Sequence, residues 1–171
     1  MTIGLIGYSH IGKLVKDLLI PFKCKIIFSD PYVELSNDDK KNNIEKVSLD
    51  ELLKLSDVVS LHARVTKETE KMIGESELKK MKKDSYLINT ARGPLLDYQA
   101  LEKYLLNNHL RGAALDTFDI EPLPTNSNLL KLNNVTITPH IAGASVKTVS
   151  YAADIIVQDL FNYLDKKPLV N

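Results

Sequence analysis

The chain has 171 residues, 44% hydrophobic and 26% charged, the composition of an ordinary globular domain long enough to bury a core. Its 22 Lys+Arg are balanced by 22 Asp+Glu, so no overall basic field points to nucleic acid or to a membrane surface. Cys24 stands alone, which excludes an internal disulfide, and no basic leader or membrane-length apolar run is present, so one cytoplasmic domain is expected. From the N-terminus, Ile3 to Ile6 reads as a short buried strand that ends at Gly7. Ile11, Leu14, Val15, Leu18 and Leu19 then recur at helical spacing. A strand, a tight turn and a helix form the arrangement in which a dinucleotide pyrophosphate rests on N–H groups at a helix N-terminus. The spacing for such a turn is G-x-G-x-x-G, and here it reads Gly7-Tyr8-Ser9-His10-Ile11-Gly12. Gly7 suits the turn and Gly12 the close approach of helix to strand. Ser9 replaces the middle glycine, and its Cβ is expected to crowd the phosphate. Many α/β folds turn on glycines, so this motif alone leaves cofactor binding open.

Lys25 to Ser29 is a second strand, ending at Asp30 before Pro31. Asp30 lies 18 residues beyond Gly12, about where an acidic residue accepts hydrogen bonds from the adenosine ribose and repels a 2′-phosphate. That spacing favours NAD over NADP, although an Asp-Pro turn also accounts for the residue. Residues 34–44 are polar and read as a solvated loop. Glu45 to Val47 is a third strand, and Ser48 with Glu51 has the form of a capping box for a short helix through Leu55. Asp57 to His62 is a fourth strand, Ser76 to Met81 a short helix, and Tyr86 to Asn89 a fifth strand that empties into Thr90-Ala91-Arg92-Gly93. Asp97 is placed to cap a helix carrying Leu101, Leu105 and Leu106. Arg111 to Leu115, ending at Asp116, and Asn134 to Thr138, stopped by Pro139, are the sixth and seventh strands. A long helix from Ser145 to Leu164 has Val149, Ala152, Ile156, Leu160 and Leu164 on one stripe.

Strands alternating with helices imply a doubly wound α/β fold, a parallel sheet of about seven strands with helices on both faces in a single three-layer domain. The polar residues of interest fall just after strand ends, where ligands bind in such sheets.

Five stretches in register carry a family resemblance: Ser56 to Ala63, Leu87 to Gly93, Gly112 to Phe118, Glu121-Pro122 and Thr138 to Gly143. With them the sequence resembles the Rossmann-type coenzyme domain of the D-isomer-specific 2-hydroxyacid dehydrogenases. The resemblance implies NAD as cofactor and a 2-hydroxy or 2-keto acid as substrate. It assigns Arg92 to the substrate carboxylate and the C2 oxygen, a role suited to a planar, permanently charged fork. It makes His140 the general base in oxidation and the general acid in reduction. Glu121 would hold the imidazole and favour its charged form. It also places Gly7, Ser9, His10, Ile11, Gly12, Asp30, His62, Ala63, Thr90, Ala91, Arg92, Asp116, His140 and Gly143 at the cofactor.

Taken singly, each of these residues has a plainer reading. Arg92 is then a surface arginine, Glu121 a loop carboxylate, His140 a turn histidine and Asp116 a strand-end cap. His109, among Asn107, Asn108 and Arg111, reads as solvated. The four histidines are scattered and Cys24 is alone, so no metal site is expected. Arg64 departs from the family, which usually has proline there. The resemblance covers residues 1–165 as the coenzyme domain, with 166–171 as a tail that in the family returns to a substrate domain. That domain, largely N-terminal in the family, is not represented. The expectation is a chain that binds NAD with little turnover of its own, homodimeric through this domain, its parent being a dehydrogenase. A non-catalytic NAD-sensing or protein-interaction module on the same fold is the main alternative. A domain for another nucleotide-like ligand, such as a methyl donor, fits the later motifs poorly.

Overall fold

A computed structural model describes residues 1–170. Their strands are β1 (Thr2–Ile6), β2 (Lys25–Ser29), β3 (Glu45–Lys46), β4 (Val58–Leu61), β5 (Ser85–Asn89), β6 (Leu110–Leu115) and β7 (Val135–Ile137). The helices are α1 (His10–Leu19), α2 (Asn37–Lys41), α3 (Leu49–Leu55), α4 (Glu75–Lys80), α5 (Tyr98–Leu106) and α6 (Val146–Leu164). All seven strands are parallel, in the order β3-β2-β1-β4-β5-β6-β7. The chain builds outward from β1 to β3, then crosses back so that β4 pairs with the other edge of β1, Ile3 opposite Val58 and Ile6 opposite Leu61. The reversal opens a crevice beyond the carboxyl ends of β1 and β4, the place where sheets of this type hold ligands.

Central strands of a parallel sheet are buried on both faces, which is why β1 is almost continuously apolar. Ile6, Ile27, Val59, Leu61 and Leu87 pack on one face with Leu52 and Leu53 of α3, Leu78 of α4 and Leu101 and Leu105 of α5. Ile3, Leu5, Ile26 and Phe28 pack on the other, with Val15 and Leu19 of α1. Two compact units result, Met1–Pro139 and a second that begins at His140. Among the described residues, no helix is long and apolar enough to cross a membrane.

Three expectations change. Residues 34–44 are not simply a solvated loop. They contain α2, opened by a capping box in which Ser36 accepts from the Asp39 N–H and the Asp39 carboxylate accepts from the Ser36 N–H. Of the apolar positions on α1, Ile11, Leu14 and Leu18 are exposed, and the buried side chain is Lys16. In α6 the apolar stripe is exposed along its length, and no residue of that helix is buried.

Candidate functional site

The turn after β1 is held by steric contact that only glycine permits. Gly7 has φ +88°, and a Cβ there would stand 2.5 Å from the Ala63 nitrogen; at Gly12 a Cβ would stand 2.4 Å from the Gly7 carbonyl oxygen. The first turn of α1 therefore lies directly on the end of β1, and the Gly7 N–H is tied to Ser29 O at 2.9 Å. At the other end of the same turn the α1 N-terminus is open. Ser9, at the cap position, makes no side-chain cap hydrogen bond, and the first turn carries no acidic residue. The backbone donors at His10, Ile11 and Gly12 are the ones a helix leaves unpaired at its start, with a favourable field for an anion. Ser9 has φ −80°, outside the left-handed region that favours glycine, so φ at this position does not call for one.

Asp30, half-buried at the end of β2, accepts the Tyr8 N–H at 2.7 Å on one carboxylate oxygen and the Tyr32 N–H at 2.9 Å on the other. Each oxygen keeps a further lone pair for a ribose hydroxyl. Two snug glycines, an uncapped helix end and an oriented carboxylate fit the adenosine and pyrophosphate parts of NAD. Across the crevice, the His62 N–H donates to Ile6 O at 2.7 Å. The His62 Nε2 is buried with no hydrogen-bond partner among the described residues, and burial lowers the imidazole pKa, so the ring is neutral near pH 7.

A second group of residues sits where β5 and β6 end. Arg92 is exposed, and one guanidinium nitrogen donates to Ala91 O at 2.6 Å. The loop beneath it is shaped by Asn89, fully buried: its Oδ1 accepts the Ala91 N–H at 3.1 Å and its amide donates to Arg92 O at 3.0 Å. Asn89 also reaches Tyr98 Oη, which donates to Thr117 O. A Cβ on Gly93 would lie 2.0 Å from the Phe118 carbonyl, so the Arg92 loop rests on the segment that carries Glu121. Glu121, itself exposed, accepts the Phe118 N–H at 2.8 Å. Asp116 is buried; its N–H donates to Asn89 O and its carboxylate accepts from the Thr138 hydroxyl. The loops of Thr90, Ala91, Arg92, Asp116 and Glu121 are thus brought together. Asn89 and Tyr98, which shape them, went unrecognised in the sequence. Their only signal was a polar residue closing a buried strand and a tyrosine beside a helix cap.

His140 opens the second unit, exposed and in the left-handed region at φ +53°. Gly143 follows; its carbonyl accepts from the Thr148 hydroxyl at 3.0 Å, and Ser145 and Thr148 cap α6. His10 is exposed at the start of α1. His109 is not solvated as expected: its ring nitrogen lies 2.9 Å from Met81 O and its edge packs on Tyr104. Among the described residues no cluster could hold a metal ion.

Residues 1–142 match the family described as D-isomer specific 2-hydroxyacid dehydrogenase, NAD binding domain. A glyoxylate reductase of Thermofilum pendens is 44% identical over 163 residues, 95% of this chain and 48% of the relative. Among solved structures, the NAD-complexed D-isomer specific 2-hydroxyacid dehydrogenase of Lactobacillus delbrueckii ssp. bulgaricus aligns with TM-score 0.88 and 34% identity, over 98% of this chain and 54% of that one. The apo D-mandelate dehydrogenase of Rhodotorula graminis aligns with TM-score 0.93 and 29% identity, over 99% and 50%. The chain spans about half the length of the curated relatives it matches.

Proposed function

Because this chain belongs to the D-isomer-specific 2-hydroxyacid dehydrogenases and is an NAD-binding domain of that family, we propose that it supplies the cofactor-binding half of an enzyme that interconverts a small 2-keto acid and its D-2-hydroxy acid. The observation that carries this reading is the glycine turn, with Gly7 and Gly12 in contact too close for a side chain and Asp30 tied to the same turn through Tyr8. Glyoxylate or hydroxypyruvate is the favoured substrate, since relatives 44% and 36% identical carry those reductase names. Residues 1–165 form the cofactor domain, and 166–171 lead toward a substrate domain in the longer protein.

NAD supplies the chemistry of hydride acceptance and donation at substrate C2. The residues of this chain manage charge and protons around that transfer. Arg92 holds the substrate carboxylate in both directions and, in reduction, polarises the C2 carbonyl toward its oxygen. His140 takes the proton of the 2-hydroxyl as the C2–H bond breaks, and returns it to the carbonyl oxygen in reduction. Glu121 acts on the imidazole, stabilising the protonated ring. His62 and Ala63, Thr90 and Ala91, Asp116 and Gly143 border the cofactor. The enzyme works as a homodimer in the cytoplasm.

Without further chain to exclude water from the reacting carbon, the 171 residues should bind NADH while reducing glyoxylate slowly. Following NADH consumption with glyoxylate at saturating cofactor tests this directly. Weak turnover that is lost in His140→Ala is expected. Turnover at the rate of a complete dehydrogenase would overturn the division of labour, and activity unaffected by His140→Ala would overturn the role of His140. Light scattering tests the dimer, and a monomeric mass at high concentration would refute it.

A further inference from the structure

A buried ionisable pair with two more exposed carboxylates beside it lies behind the glycine turn and has no part in the chemistry above. Lys16 of α1 is 4% exposed, and its Nζ lies 2.6 Å from Asp17, 2.8 Å from Asp38 and 3.7 Å from Asp39. Asp39 is 1% exposed; one of its oxygens accepts the Tyr8 hydroxyl at 2.6 Å, the other the Ser36 N–H at 2.9 Å and hydroxyl at 2.7 Å. Tyr8 is fully buried and stacked on Phe28, ring centroids 3.8 Å apart. Burial works against charge on both Lys16 and Asp39. Hydrogen bonds outweigh it, raising the lysine pKa and lowering that of the carboxylate, so both remain ionised.

Buried ion pairs add little net stability over apolar packing, so this one is better explained by what it holds in place. Tyr8 has two attachments. Its backbone N–H holds the Asp30 carboxylate, and its phenol holds α2 through Asp39. Segment 31–36 runs between those two anchors, with the Tyr32 N–H bonded to Asp30 at one end and Ser36 to Asp39 at the other.

We propose that Tyr8, backed by Asp39 and Lys16, is a positioning residue that fixes Asp30 and segment 31–36, and thereby sets the preference for a free ribose 2′-hydroxyl over a 2′-phosphate. The proposal rests on Asp30 as the ribose acceptor. A carboxylate rejects a 2′-phosphate only while it cannot swing aside, because selection is a difference between two affinities. Freeing the far end of the segment lets Asp30 move, which weakens NADH binding and relieves the repulsion felt by NADPH.

The test is calorimetric titration of the full chain and of Tyr8→Phe with NADH, NADPH and reduced nicotinamide mononucleotide, which lacks the adenosine half. Tyr8→Phe keeps the ring stack and the backbone N–H and removes only the hydroxyl. The NADH-to-NADPH affinity ratio should fall about fivefold, the scale expected for freeing one ordered group, while mononucleotide binding stays unchanged. Ser36→Ala, which loosens the same segment from the surface side, should lower the ratio in the same direction by less; it also serves if Tyr8→Phe does not fold. An unchanged ratio in the folded variants, or equal weakening toward all three ligands, would overturn the positioning role. Failure of the unmodified chain to bind NADH would instead overturn the cofactor reading on which the proposal rests.

Discussion

The two ends of the sheet in the first unit are finished differently. Over β1 and β2 the face carrying Leu5, Ile26 and Phe28 is sealed, each of these residues at most 3% exposed. Further along the same face, Ile88 and Ala114 are half-buried and Tyr86 of β5 is 41% exposed. The groups with assigned chemistry follow the same division. At the first end the proposed recognition rests mostly on backbone, a glycine turn and an open helix terminus, with one carboxylate held by two N–H groups. At the second, Arg92 and Glu121 stand exposed on loops that buried Asn89 and Gly93 hold in register. A dinucleotide presents long, invariant surfaces that a rigid main chain can match. A small acid presents a carboxylate and one reacting carbon, which need side chains and enclosure. On the proposed reading, the cofactor end carries its main contacts within this chain, whereas Arg92 and Glu121 at the substrate end stand exposed and need cover.

The largest effect should come from the cofactor end. Gly12→Ala puts a Cβ against the Gly7 carbonyl, where no flexible side chain can yield. It should cost about 3 kcal/mol of stability and weaken NADH binding by about two orders of magnitude. Denaturant melts and titration read both, and a normal affinity would show that the close approach is not required. At the substrate end, Arg92→Lys in the complete enzyme keeps the charge but loses the bidentate fork. It should lower kcat/KM by about 100-fold, roughly 2.7 kcal/mol, while leaving NADH affinity within a few-fold. Comparable losses in both would erase the contrast between the ends.

A smaller effect concerns pH. His62 has its pKa lowered by burial, so protonation favours the unfolded chain. The native state keeps its full stability above the unfolded value near 6.5. It should lose up to about 1.4 kcal/mol per pH unit as pH falls from there toward the depressed folded value. His62→Gln should flatten that part of the stability curve, and an unchanged slope would mean that carboxylates alone govern it. The smallest effect is a gain. Thr117 is 1% exposed, and its hydroxyl is buried with no partner among the described residues. Thr117→Val should stabilise the fold by about 1 kcal/mol, a rise in Tm of about 2–4 °C.

Much of this was legible in the sequence because the signals are local. The β2 bounds are as expected, the other strands agree within a residue or two, and Ser48–Glu51 and Asp97 cap their helices as read. What could not be read depends on pairs far apart in the chain. Lys16 was hidden on a helix whose obvious apolar residues, Ile11, Leu14 and Leu18, turned out to be exposed. Its burial makes sense only with Asp39 beside it, and α2 only with Tyr8, 31 residues away in sequence, to receive it. Asn89 is likewise a buried amide whose partner Tyr98 lies beyond a loop. Arg92, Glu121 and His140 are proposed from motif resemblance alone, since an exposed arginine or glutamate has no periodicity to distinguish it.

The most direct measurement is titration of the 171-residue chain with NADH, with NADPH as the control. Saturable binding at one site per chain, tighter for NADH, is the predicted result. It would mean that the glycine turn tolerates Ser9 and that Asp30 selects the ribose. No binding at millimolar NADH would contradict the proposed cofactor site.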